Sequence, residues 1–203
     1  MRRFALILIT LFSALGVALA QTTEEQKLAI GYLHAAMDAE AEGSVASAIE
    51  FYQQAAEYAR SGFGEKHEFY HMALFGLVGN YFRMGLHKHT IEYGEILVAN
   101  KELRTTHTAE YALTCHNLSI SYGTLQQYDK SVEYGLQSVD IWDKGGTDDT
   151  TAHLYADLCG MLAEALYSRD NIALSIEYST RALAYFSNNA EQYPINYAIT
   201  LYE

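Results

Sequence analysis

Residues 67–71 read His67, Glu68, Phe69, Tyr70, His71, an H-E-x-x-H pattern. On a helix this spacing puts two imidazoles one turn apart on one face, where they can ligate zinc. Glu68 then stands beside the metal-bound water as a general base. A third ligand would come from His87, His89 or Glu92. The chemistry so defined is zinc-dependent hydrolysis. Casual metal uptake by His67, His71 or the His87-Lys88-His89 run is a weaker form of it. A hydrolase also needs an enclosed cleft and a group to stabilise a developing oxyanion, and the sequence marks neither.

The elements that must carry these residues follow from a repeat. Four stretches are alike: Ala48-Ile49-Glu50-Phe51-Tyr52, Thr90-Ile91-Glu92-Tyr93-Gly94, Ser131-Val132-Glu133-Tyr134-Gly135 and Ser175-Ile176-Glu177-Tyr178-Ser179. They start 42, 41 and 44 residues apart. Each opens a helix whose small and apolar positions recur at three and four, as in Ala48, Phe51, Tyr52, Ala55. Five residues before each start lies a turn residue: Gly43, Gly85, Gln126, Asp170. Glycine takes the left-handed conformation of a helix end without penalty. Gln126 and Asp170 do not, so their two turns are expected to differ. Before each turn lies a second helical pattern: Tyr32, Ala35, Ala36, Ala39, then Leu74, Leu77, Val78, Tyr81, then Cys115, Leu118, Ser119, Tyr122, then Cys159, Leu162, Ala163, Leu166. One such helical hairpin cannot bury its apolar face alone, but stacked neighbours can. The expected fold is all-α, a right-handed α-solenoid of four helix-turn-helix units over about 24–62, 66–104, 107–146 and 152–190. The start of a fifth is expected at 194–203.

Composition narrows the function. Half of the 203 residues are apolar and 19% are charged, which suits a packed domain. The net charge of −12 leaves too few cations to displace counterions from a nucleic acid, so nucleic acid is excluded as a partner. Residues 1–20 carry Arg2 and Arg3, an apolar run and Ala18-Leu19-Ala20, the order of a secretory leader cleaved after Ala20. An uncleaved anchor is the other reading, but the run is short for a span. The expected location is periplasmic or extracellular. Two cysteines, Cys115 and Cys159, hold the same phase in adjacent units. They are either a bonded pair or two buried thiols, and the second is expected.

The stretch LTCHNLSISYGTLQQYDKSVEYGLQSVDI, with Leu118, Tyr122, Tyr128-Asp129, Ser131, Tyr134 and Ser138, resembles a tetratricopeptide repeat (TPR). The period near 42 is similar to the long-repeat branch found in kinesin light chains and bacterial sensor proteins. The resemblance spans residues 24–203. In that branch a His-Pro pair commonly precedes the first helix of each unit. His67, His107 and His153 lie 22 to 24 residues before the second-helix starts, and Tyr193-Pro194 holds the place after the fourth unit. His67 is then a structural residue at a helix start, with no metal or other cofactor implied.

The resemblance implies that the first helices line a concave face that binds a protein or peptide. By spacing, the residues on it are Leu33, His34 and Met37, then Phe75, Phe82 and Arg83, then His116, Asn117 and Ile120, then Met161, Glu164 and Tyr167. The Asn that holds a peptide backbone in kinesin-light-chain repeats is matched by Asn117 alone; His34, Gly76 and Met161 stand at its other places. No Lys-Arg-Asn clamp for a C-terminal carboxylate is assembled, so the ligand class is left open. Ile195, Ala198, Ile199 and Tyr202 lack a partner helix, which suggests a piece of a longer protein. Arrays behind a leader resemble the sensory regions of bacterial histidine kinases and membrane-tethered regulators, where any membrane attachment lies beyond the last residue. The expected molecule is a non-enzymatic binding module, with the zinc hydrolase as the alternative.

Overall fold

The computed structural model describes residues 22–147 and 151–201, so the leader at 1–20 lies outside the described residues. Among the described residues there are ten helices and no strands. They are α1 (Glu24–Ala41), α2 (Val45–Gly62), α3 (Glu68–Arg83), α4 (His87–Ala99), α5 (Leu103–Thr106), α6 (Thr108–Thr124), α7 (Tyr128–Gly145), α8 (Ala152–Tyr167), α9 (Ile172–Asn188) and α10 (Pro194–Thr200). Four pairs, α1/α2, α3/α4, α6/α7 and α8/α9, fall on the four periodic segments. The short α5 has no counterpart in the periodic pattern. No described helix is long and apolar enough to cross a membrane.

All four pairs turn the same way. Gly43, Gly85, Gln126 and Asp170 have φ of 78°, 67°, 59° and 57°. In each, the following N–H reaches the carbonyl five residues back: Ser44 to Ala39, Leu86 to Tyr81, Gln127 to Tyr122 and Asn171 to Leu166. The left-handed residue's own N–H bonds three back, which completes a Schellman turn. The expected difference between the glycine turns and the other two is therefore not found. Backbone bonding closes the turn whatever the residue, and Gln126 and Asp170 accept the strain.

The chain divides within α3 into two compact units, one ending at Ala73 and one starting at Leu74. The first is an alanine seam. Ala29, Leu33, Ala36 and Ala39 of α1 are buried, as are Ala48, Ile49, Tyr52, Ala55, Ala56 and Ala59 of α2. Side chains this small let two helices approach closely. Thr23 and Gln26 form a capping box at the start of α1. Gln26 Nε2 also donates to the Gly62 carbonyl at 2.9 Å, which fastens the open end of the hairpin. The Tyr52 hydroxyl donates to Glu40 at 2.9 Å, and Tyr32 stacks on Tyr58 at 5.6 Å.

The second unit repeats its contacts from pair to pair. Tyr81 stacks on Tyr93 and Tyr122 on Tyr134, at 5.6 and 5.8 Å. These ring pairs join the two helices of a hairpin, which accounts for part of the chain's tyrosine content. Between pairs, a Cβ on Gly94 would meet Leu118 Cδ2 at 2.8 Å, and one on Gly135 would meet Leu162 Cδ2 at 2.6 Å. The second helix of one pair thus lies against the first helix of the next at a spacing only glycine permits. Cys115 and Cys159 are free and buried. Burial pushes both thiols up to about 12, so neither is a nucleophile at ordinary pH.

Candidate functional site

His67 stands immediately before α3. Its Nδ1 accepts the Phe69 backbone N–H at 3.2 Å, so the imidazole serves as a helix cap. Its ring stacks on Phe63 at 4.3 Å and lies 4.9 Å from Phe69. His71, one turn on, is buried. Among the described residues no group of three or more His, Cys, Asp and Glu side chains is placed to hold a metal. The other two periodic histidines also meet aromatic rings: His107 lies 6.5 Å from Phe75, and His153 stacks on Tyr193 at 5.9 Å. The recurrent histidine thus packs on a ring at the start of a pair.

The residues expected on a binding face divide by burial. In the first unit His34 and Met37 are exposed on α1, whereas Leu33 is buried in the hairpin. In the second, Arg83 is exposed and Tyr167 is 66% exposed. Phe75 and Phe82 are half-buried, and Phe82 packs edge-on to His87 and His116 at 6.3 and 5.9 Å. His116 and Asn117 require correction. They are 1% and 4% exposed, so neither lies on an open face. The His116 ring sits between Phe82 and Trp142, the latter 5.7 Å away. Its Nδ1 donates to Asn117 Oδ1 at 3.0 Å, while Nε2 has no partner. Burial pushes its pKa down to about 4, and the Asn117 bond opposes that only in part. His116 is a neutral interior residue.

Three expected residues do come together. Ile120, Met161 and Glu164 line one groove of about 300 Å³ in the second unit. The rest of its wall was not foreseen: Ala156, Asp157 and Gly160 from α8, Phe186 from α9, and Asn196, Ile199 and Thr200 from α10. Asp157 was findable, since it lies one turn before Met161 and shares its face. Asn196 Nδ2 donates to Asp157 Oδ1 at 2.6 Å. Desolvation raises the Asp157 pKa, and the Asn196 bond and then His153 offset part of the rise. Among the described residues the groove is an apolar trough with two carboxylates and no Lys or Arg on its wall.

Paired antiparallel helices, one Schellman turn per pair and glycine-to-leucine contacts between pairs define the class: an all-α, TPR-like repeat solenoid. No protein-family profile matches the chain. No curated protein matches its sequence. Among solved structures it is similar to the crystal structure of nearly identical TPR-like repeats from a protein described as a Podosopora anserina kinesin light chain. The TM-score is 0.62 at 18% identity, over 89% of this chain and 84% of that one. At that identity the likeness establishes the fold. TPR-like repeats are in general protein- and peptide-binding scaffolds.

Proposed function

We propose that the chain is an exported, non-enzymatic module that binds a protein or peptide. In this reading it is the periplasmic sensory or scaffolding part of a longer bacterial protein, such as a histidine kinase or a transcriptional regulator. One observation carries the binding reading: the groove of about 300 Å³ that Ile120, Met161, Phe186 and Ile199 line with apolar groups and Asp157, Glu164 and Asn196 with polar ones. A concave apolar wall with a few convergent polar atoms is the usual form of a recognition site. The leader pattern of residues 1–20 supports export. The capping role of the His67 ring supports a structural use of the H-E-x-x-H segment.

A photoreactive phenylalanine at position 161 is expected to form discrete adducts with a protein of the producing cell, whereas one at position 176 on α9 forms none. Equal yields from both positions would discard the groove. N-terminal sequencing of the exported protein is expected to begin at Gln21. Purified wild type and His71→Ala are both expected to hold well under one zinc per chain. Stoichiometric zinc that the substitution abolishes would put the hydrolase in place of the binding module.

A further inference from the structure

The fourth pair carries a charge where the third carries none. Asp157 occupies the step that Leu113 holds 44 residues earlier, and Glu164 the step of Ile120. Asp157 is partly desolvated, and its bond to Asn196 uses Oδ1. Such a carboxylate is stabilised most by a cation, and among the described residues the groove wall supplies none. Glu164, two turns further along α8, is exposed at the rim and deepens the negative potential. Gly160 leaves the helix backbone bare between them, and Met161, a thioether that adapts to varied shapes, lies beside it. The −12 net charge sets the same sign for the molecule's longer-range field.

We infer that this groove takes an extended segment of a partner protein in which an arginine or lysine stands next to an apolar side chain. The cation pairs with Asp157, and the apolar neighbour lies on Met161, Phe186 and Ile199. The apolar stem of the basic side chain crosses the trough while its charge reaches the carboxylate. Glu164 attracts the same cation-bearing segment and repels acidic ones, which gives the site its selectivity. This inference rests on the peptide-binding reading above and names the class of peptide.

The test is a positional-scanning library of capped hexapeptides, each with one position fixed as arginine, lysine, norleucine or glutamate. It is applied to the whole chain as wild type, Asp157→Asn and Glu164→Gln. Asp157→Asn keeps an oxygen to accept from Asn196, so it is expected to unfold no earlier than wild type. Wild type is expected to retain arginine and lysine peptides about tenfold or more over norleucine and glutamate ones. Added salt lowers that retention. Asp157→Asn abolishes the preference, and Glu164→Gln weakens it. Norleucine retained as well as arginine, or a preference that survives Asp157→Asn, overturns the basic anchor and leaves peptide binding standing. No retention of any peptide, together with no adducts from position 161, removes both.

Discussion

The third and fourth helix pairs place the same residues at the same steps: Tyr111 and Tyr155, Cys115 and Cys159, Ser131 and Ser175, Tyr134 and Tyr178, each 44 residues apart. They part company where one pair is covered and the other is open. His116 fills the step that Gly160 leaves empty, and Trp142 lies against His116 where the corresponding Phe186 lines the groove. The groove of the fourth pair is thus the place where the third pair has a buried ring. Polar bonding is reversed as well. Ser119 Oγ donates to the Ser131 carbonyl at 2.8 Å, whereas Ser175 Oγ donates to the Ala163 carbonyl at 2.9 Å. One helical template serves as packed interior or as groove wall, depending on a few side-chain volumes.

The sharpest way to break the comparison is at the contact between pairs. In Gly135→Val the new Cβ meets Leu162 Cδ2 at 2.6 Å and Ser119 Oγ at 2.8 Å, and Leu162 is fully buried. The expected loss is about 3 kcal/mol in urea unfolding, the upper range for overpacking. Ser179→Val at the matching step of the fourth pair is expected to cost less than about 1 kcal/mol, because Ser179 is half-buried rather than enclosed. Equal losses would mean that the two pairs are packed alike.

A second contrast is electrostatic. His116 titrates near 6.5 when unfolded and is pushed down to about 4 in the fold. Between those values only the unfolded chain takes the proton. Stability is therefore complete above about pH 6.5 and drains as pH falls toward 4. From pH 7 to pH 5 this amounts to about 2 kcal/mol. His116→Gln is expected to flatten that slope, measured as the urea midpoint at the two pH values. A slope that the substitution does not change would place the titrating group elsewhere.

Helix positions were legible because burial imposes a period. The starts at Ala48, Thr90, Ser131 and Ser175 fall within helices α2, α4, α7 and α9, and the turn residues before them all take positive φ. What spacing alone does not fix is which face of a first helix a neighbour covers. His116 and Asn117 read as surface residues by type and phase, yet Phe82 and Trp142, distant in sequence, close over His116. Met161 and Glu164 line the groove with Ile120, whose phase Glu164 shares. Asn196 was missed because its partner Asp157 is 39 residues away, so nothing in the local pattern links them.

The turns offer the smallest contrast, because all four share one backbone whichever residue takes the positive φ. Gly43→Ala and Gly85→Ala have open space around the added Cβ, so the cost is conformational alone, about 1 kcal/mol. The reverse exchange acts on the later pairs. Gln126→Gly relieves about 1–2 kcal/mol of left-handed strain and gives back part of it through the looser unfolded chain. The net gain is about 0.5–1 kcal/mol. Asp170→Gly gains less, since aspartate tolerates this conformation better than glutamine. Midpoints from urea unfolding order the variants as Gln126→Gly, Asp170→Gly, wild type, then the two alanine variants. A glycine at position 126 that destabilises the chain would show that the Gln126 side chain holds its turn by contacts that outweigh the strain.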